Sequence, residues 1–200
     1  MHLYSKDVLS RNKGAKIIFD VKCTSLLPAF ISENGGEPVM SRTGHSFIKQ
    51  KLKETKAELA GEMSGHIFFK ERWYGFDDAL YTGARLLEII SKSNKSCFEI
   101  FDEMPANLST PEININFEKH GQQFEAMNKL SADINFPDAT INTIDGVRVD
   151  YENCWGLVRA SNTTPCLVLR FEANDNESLN EIKTKFAEWL KSNGISADSL

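Results

Sequence analysis

Two hydrophobic periods share this chain of 200 residues, and they change over at "DEMPANLSTP", residues 102–111. Upstream, short apolar runs such as "AKIIFDV" alternate with stretches of helical spacing such as "GHSFIKQKLKET". Downstream, apolar and polar residues alternate strictly: Ile113, Ile115, Phe117; then Val147, Val149, Tyr151; then Leu167, Leu169, Phe171. Strands separated by helices build a mostly parallel sheet covered on both faces, whereas strict alternation leaves one sheet face in water. One sheet cannot satisfy both patterns, so two domains are expected. The first is an α/β domain over residues 1–103, with a mixed, mostly parallel sheet and helices on both faces. A linker follows over 104–111, where Pro105 and Pro111 flank Asn, Ser and Thr without periodicity. The second, over 112–200, is a small α+β domain with an antiparallel sheet and two helices.

Local signals place the pieces. "EPVM", "AELAGEM" and "HIFFKE" read as strands, and "SLLPAFISEN" reads as a helix interrupted by Pro28. Asp77 is the expected cap of a helix on which Phe76, Leu80, Gly83, Leu87 and Ile90 form one apolar stripe. In the second domain a helix is expected around residues 121–132. Another at the C-terminus carries Ile182, Phe186 and Trp189 on one face, begins at Asn176 or Ser178, and ends at Gly194.

The formal net charge of −5 excludes an ordinary nucleic-acid binder, which needs a basic face to neutralise phosphates. Cys23, Cys97, Cys154 and Cys166 form no C-x-x-C pair, so buried, reduced thiols are expected instead of a zinc or redox site. No signal-peptide pattern or membrane-length apolar run occurs, which predicts a cytoplasmic protein without a membrane partner.

Four stretches could bind a ligand. "RASNTTP" offers the Arg159 guanidinium, hydroxyls at Ser161, Thr163 and Thr164, and the Asn162 amide in one tight loop. These are the parts of a phosphate cradle; the bland alternative is a polar hairpin whose Asn and Thr simply make the turn. In "FDVKC", Lys22 stands at the C-terminal end of a strand, where α/β sheets bind ligands, as a point charge or as a snorkelling surface group. His45, in "SRTGHS", lies at a helix start that suits an anion or simply a cap. In "GEMSGH", Glu62 and Ser64 are two residues apart and share a side in extended chain, which suits the vicinal hydroxyls of a sugar. His66 is in phase with them and could donate, accept or shuttle a proton; the bland alternative is a strained bend with Glu62 in solvent. No metal-binding cluster is expected.

"FDVKC", "TGHS", "GEMSGH" and "RASNTTP", with "STPEI" and "GVRVDY", resemble in order and spacing the C-terminal half of the phosphomannomutase/phosphoglucomutase branch of the α-D-phosphohexomutase family. The resemblance covers nearly the whole chain. It implies the third and fourth of four domains, beginning at the helix or linker that enters the third, with a TATA-binding-protein-like fourth. It also implies an isomerase that exchanges the 1- and 6-phosphates of mannose or glucose through a phosphoserine and a bisphosphorylated sugar, which serves as intermediate and activator. By that resemblance Glu62 and Ser64 read the 3- and 4-hydroxyls. Lys22, His45 and His66 bind the ligand, and the two histidines can assist proton transfer. Arg159, Ser161, Asn162 and Thr163 grip the phosphate that is not being transferred. The phosphoserine and the magnesium loop belong to domains outside this sequence, so magnesium, the N-terminal domains and a phosphohexose are the implied cofactor and partners, and the chain alone is expected to be inactive. Met63 in "GEMSGH" matches enzymes accepting glucose and mannose phosphates, where the glucosamine-specific branch has Gln. A stand-alone sugar-phosphate-binding or regulatory protein is the competing expectation.

Overall fold

The computed structural model describes residues 1–198 and 200, and they form two compact units, Met1–Ala106 and Asn107–Leu200. The first unit begins with helix α1 (His2–Arg11), which no local spacing had predicted. Strand β1 (Lys16–Asp20), helix α2 (Leu26–Glu33), strand β2 (Glu37–Ser41) and helix α3 (His45–Thr55) follow, then strands β3 (Leu59–Gly61) and β4 (Ile67–Phe69). The sheet order is β2-β1-β3-β4, with β1 parallel to both neighbours and β4 antiparallel to β3. Alternation along central β1 serves two cores. Ile17 and Phe19 pack with Val8 and Leu9 of α1 and Leu27 and Ile31 of α2, while Ile18 packs with Ile48 and Leu52 of α3. Helices therefore cover both faces, as the βα pattern requires.

Pro28 does not interrupt α2. It lies in the first turn, where backbone N–H groups have no intrahelical acceptor, so its missing donor costs little. Helix α4 (Ala79–Ser91) is capped by Asp78 and not by Asp77: the Asp78 carboxylate accepts from the Tyr81 N–H at 2.9 Å. A further short helix, α5 (Cys97–Asp102), carries a capping box between Ser96 and Glu99. Its Cys97 is exposed and Cys154 half-buried, so the expectation of buried thiols holds only at Cys23 and Cys166.

In the second unit, strand β5 (Leu108–Ser109) falls inside the segment expected as linker and pairs with Glu172 and Ala173. Beyond it come strand β6 (Ile113–Asn116), helix α6 (Gln122–Ala132), strands β7 (Thr140–Asn142), β8 (Val147–Asp150), β9 (Cys154–Ala160) and β10 (Cys166–Ala173), and helix α7 (Asn176–Ser192). The sheet is antiparallel throughout, in the order β5-β10-β9-β8-β7, with β6 also on β10. Val147, Val149, Leu167, Leu169 and Phe171, predicted by alternation, form its core with Ile182, Phe186 and Leu190 of α7. Helix α7 is capped by Asp175, one residue before the expected start, and Gly194 follows it in the left-handed region, φ +74°. Among the described residues no helix is long and apolar enough to cross a membrane.

Candidate functional site

In the first unit the candidate residues lie on three loops at one end of the sheet, and a buried carboxylate ties those loops together. Asp20, the last residue of β1, is fully buried; it accepts from the Thr43 hydroxyl at 3.0 Å, the Met63 N–H at 3.1 Å and the Cys23 thiol at 3.2 Å. One side chain thus joins the loop after β1, the loop before α3 and the turn between β3 and β4. Lys22 follows in the first of these loops and is buried, which removes the snorkelling alternative. Desolvation, with Asp20 beside it, pushes the Cys23 thiol well above its ordinary pKa, so it stays protonated near neutral pH.

The "GEMSGH" stretch is a tight hairpin turn and not extended chain. The Gly65 N–H donates to the Glu62 carbonyl at 3.0 Å and the Glu62 N–H to the His66 carbonyl at 2.9 Å. Gly65 takes φ +95°, a conformation that a residue with a Cβ adopts only with strain. Glu62 and Ser64 therefore meet through the turn and not through a shared strand phase. The Glu62 side chain is not in solvent: it is 5% exposed and accepts from the Gly44 N–H at 2.9 Å and the Ser64 hydroxyl at 3.3 Å. Met63 is half-buried against the first unit's core.

His66 Nδ1 lies 2.7 Å from Asp77 Oδ2, and Asp77 Oδ1 accepts from the Ile67 N–H at 3.2 Å. In the neutral imidazole that pairing places the proton on Nδ1 and leaves Nε2 as an acceptor. His45, the first residue of α3, sits edge-on to the His66 ring at 4.5 Å and to Phe68 at 5.3 Å, with Nε2 3.7 Å from Asp77. The three side chains offer ligand atoms all within 4.8 Å of one another. Two imidazoles and one carboxylate suit a borderline transition metal; magnesium demands near-octahedral oxygen, which this set does not supply.

In the second unit Arg159, near the end of β9, is buried and its Nε donates to Asp145 Oδ2 at 3.0 Å. The same guanidinium carries four further N–H donors. Gly146 lets the chain pass this close: a Cβ there would lie 2.2 Å from the Val158 carbonyl oxygen and 2.7 Å from the Arg159 Cα. The loop after Arg159 is closed by the Ser161 hydroxyl, which accepts from the Thr164 N–H at 3.2 Å and the Thr163 N–H at 3.4 Å and lies 2.8 Å from the Thr164 hydroxyl. Ser161 is buried by these bonds, whereas Asn162, Thr163 and Thr164 are exposed. Gln123, fully buried at the start of α6, donates to the carbonyls of Ser161 at 3.3 Å and Thr164 at 3.4 Å and so anchors the loop.

Four of these positioning residues escaped sequence reasoning. Asp145 stands in an Asp-Gly turn signal, and the spacing around Asp77 predicts only a helix cap. Nothing local marks Asp20 as a brace or Gln123 as an anchor: their partners Met63 and Ser161 lie 43 and 38 residues away.

Two family models match. "Phosphoglucomutase/phosphomannomutase, alpha/beta/alpha domain III" covers residues 1–108, and "Phosphoglucomutase/phosphomannomutase, C-terminal domain" covers 112–188. The phosphomannomutase/phosphoglucomutase of Pseudomonas aeruginosa is 58% identical over 189 residues, 94% of this chain and 41% of that protein. The phosphoglucomutase of Neisseria gonorrhoeae is 53% identical over 192 residues, 96% of this chain and 42% of that protein. The crystal structure of a phosphoglucomutase/phosphomannomutase family protein from Burkholderia thailandensis superposes with a TM-score of 0.89 at 50% identity, covering 96% of this chain and 41% of that one. The chain thus spans about two-fifths of the length of the curated relatives it matches.

Proposed function

Because the chain belongs to the phosphoglucomutase/phosphomannomutase family, across its domain III and C-terminal domain, we propose that it is the substrate-holding part of an enzyme that interconverts the 1- and 6-phosphates of mannose and glucose. The observation that carries this reading is Glu62: a buried carboxylate aimed by a backbone N–H and beside a hydroxyl, in a turn that two other loops brace. A carboxylate held this way accepts from neighbouring sugar hydroxyls at about 1.5–3 kcal/mol per bond. Ser64, exposed on the same turn, supplies a second partner that can donate or accept.

Glu62 and Ser64 read the 3- and 4-hydroxyls and leave the 2-position unread. Glucose and mannose differ only there, and a site rejects an epimer only where it has built a contact to the differing group. The bisphosphorylated intermediate turns around between two half-reactions, so the ring reader accepts either orientation. Arg159, with Ser161, Asn162 and Thr163, holds whichever phosphate is not being transferred; Asp145 fixes the guanidinium at Nε and leaves its remaining donors for phosphate oxygens. Lys22 adds a point charge. His66, its Nδ1 taken by Asp77, presents Nε2 to receive or return a hydroxyl proton, and His45 packs its ring in place.

Magnesium, when bound, offsets charge on the phosphoryl group in flight. Among the described residues, the His45, His66 and Asp77 group does not fit it, and no step here runs through it. The phosphoryl-carrying serine and the metal loop belong to the domains that the longer relatives add, and four cysteines outside any disulfide suit a cytoplasmic location. The test is titration of glucose 1-phosphate into the full-length protein carrying Arg159→Ala: affinity should fall at least about tenfold, the loss expected from a charged hydrogen bond. Unchanged affinity would sink the cradle. Mutase activity from the 200-residue chain alone, with magnesium and bisphosphate added, would show that the catalytic serine has been misplaced.

A further inference from the structure

Helix α4 is amphipathic the wrong way round. Its inward side carries Arg85, 2% exposed, whose guanidinium lies 2.8 Å from both Asp7 and Glu71 and 4.4 Å above the Phe69 ring. Tyr81, one turn earlier, stacks on Trp73 at 4.2 Å and meets Arg85 through its hydroxyl at 3.1 Å. Most of the apolar stripe expected from sequence faces outward: Leu80 is 89% exposed and Leu87 68%, with Phe76 also exposed, while Ile90 is half-buried. Gly83 lies between the two leucines, and a Cβ there would meet nothing within 4 Å.

A helix buried on one side by ion pairs and bare on the other by leucines matches no free surface, where the polarity is reversed. The flanking charges are already matched: Glu88 pairs with Arg72 at 2.9 Å and with Lys92 at 2.6 Å. A glycine in mid-helix costs about 1 kcal/mol against alanine, and the open space over it admits the close approach of another backbone. The Pseudomonas aeruginosa relative extends well beyond this chain, which covers 41% of it, and the first match begins at domain III. We propose that α4 is an interdomain docking surface, covered by an apolar face of the domain that precedes domain III in the longer members of the family. The proposal rests on the family reading above and names the surface through which that reading joins the chain to its partner domains.

Hydrogen exchange over residues 79–91, compared between the 200-residue chain and the full-length protein from its gene, tests the proposal. Covering two leucines should slow exchange in the full-length protein at least about tenfold. The variant Leu80→Lys/Leu87→Lys should lower the melting temperature of the full-length protein by more than about 4 °C, and that of the 200-residue chain by less than about 2 °C, because only the former buries the new charges. Equal exchange in both proteins overturns the proposal even without the variant. A 200-residue chain that sediments as a dimer, and returns to monomer on Leu87→Lys, also overturns it, by making a second copy the occupant. The full-length protein assayed for mutase activity separates the two claims: an active enzyme with unprotected α4 removes the docking surface alone, and an inactive one with protected α4 removes the function and keeps the surface.

Discussion

Replacing Asp20 by alanine should loosen the whole candidate site of the first unit while leaving the second unit untouched. The carboxylate is fully buried and accepts from Thr43, Met63 and Cys23 at 3.0, 3.1 and 3.2 Å. Two strong donors to a charged acceptor contribute about 3–6 kcal/mol together, and the thiol adds little. Removing the charge also relieves the cost of keeping it out of water, which offsets part of that loss. The expected net destabilisation is about 3 kcal/mol for Asp20→Ala and about 2 kcal/mol for Asp20→Asn, which keeps one acceptor and sets an N–H₂ against a donor. Urea unfolding, read by amide exchange separately over residues 1–106 and 107–200, checks it. With a slope near 2 kcal/mol/M, the midpoint of the first unit should fall by about 1.5 M in the alanine variant. Sugar-phosphate affinity should weaken in parallel, because the Met63 N–H ties the turn bearing Glu62 to Asp20 and so to the other two loops. A first-unit midpoint within about 0.3 M of the parent would refute the view that Asp20 braces three loops.

Gly146→Ala should destabilise the second unit by at least about 3 kcal/mol, since φ is +84° there and the added Cβ collides with the β9 backbone; differential scanning calorimetry reads the loss. Asp77→Asn in the full-length enzyme should lower kcat with little change in KM, and ¹⁵N imidazole shifts should show His66 losing its single tautomer. Asp7 is lowered from 3.8 to about 2, chiefly by its hydrogen bond to Arg11 with Arg85 behind it. That carboxylate therefore supports the first unit fully above about pH 4, and the support fades as pH falls toward 2; Asp7→Asn should flatten this stretch of a pH titration of stability.

Much of the fold was readable in the residues. The switch of period at 102–111 separated an α/β unit from an antiparallel one, and Ile17 to Phe19, Val147 to Val149 and Leu167 to Phe171 became the strands their spacing indicated. Helices α3, α6 and α7 also lie where local spacing and stop signals put them. The α5 capping box, Ser96 with Glu99, has a local Ser-x-x-Glu signature as well. The same residues grouped Glu62, Ser64 and His66 in one loop and the polar side chains of "RASNTTP" in another. Side-chain periodicity and turn chemistry act over a few residues, so they are written where they operate.

Tertiary contact decided the rest. Strand β5 is two residues long and exists only because β10 offers Glu172 and Ala173 for pairing. The stripe on α4 was visible, but which side faces inward depended on Asp7 and Glu71 meeting Arg85 across the fold. Glu62 became a buried, aimed acceptor because Gly44, 18 residues earlier, supplies an N–H. A buried carboxylate, amide or guanidinium must find its partners wherever the packed chain brings them, and spacing along the sequence carries no record of that distance.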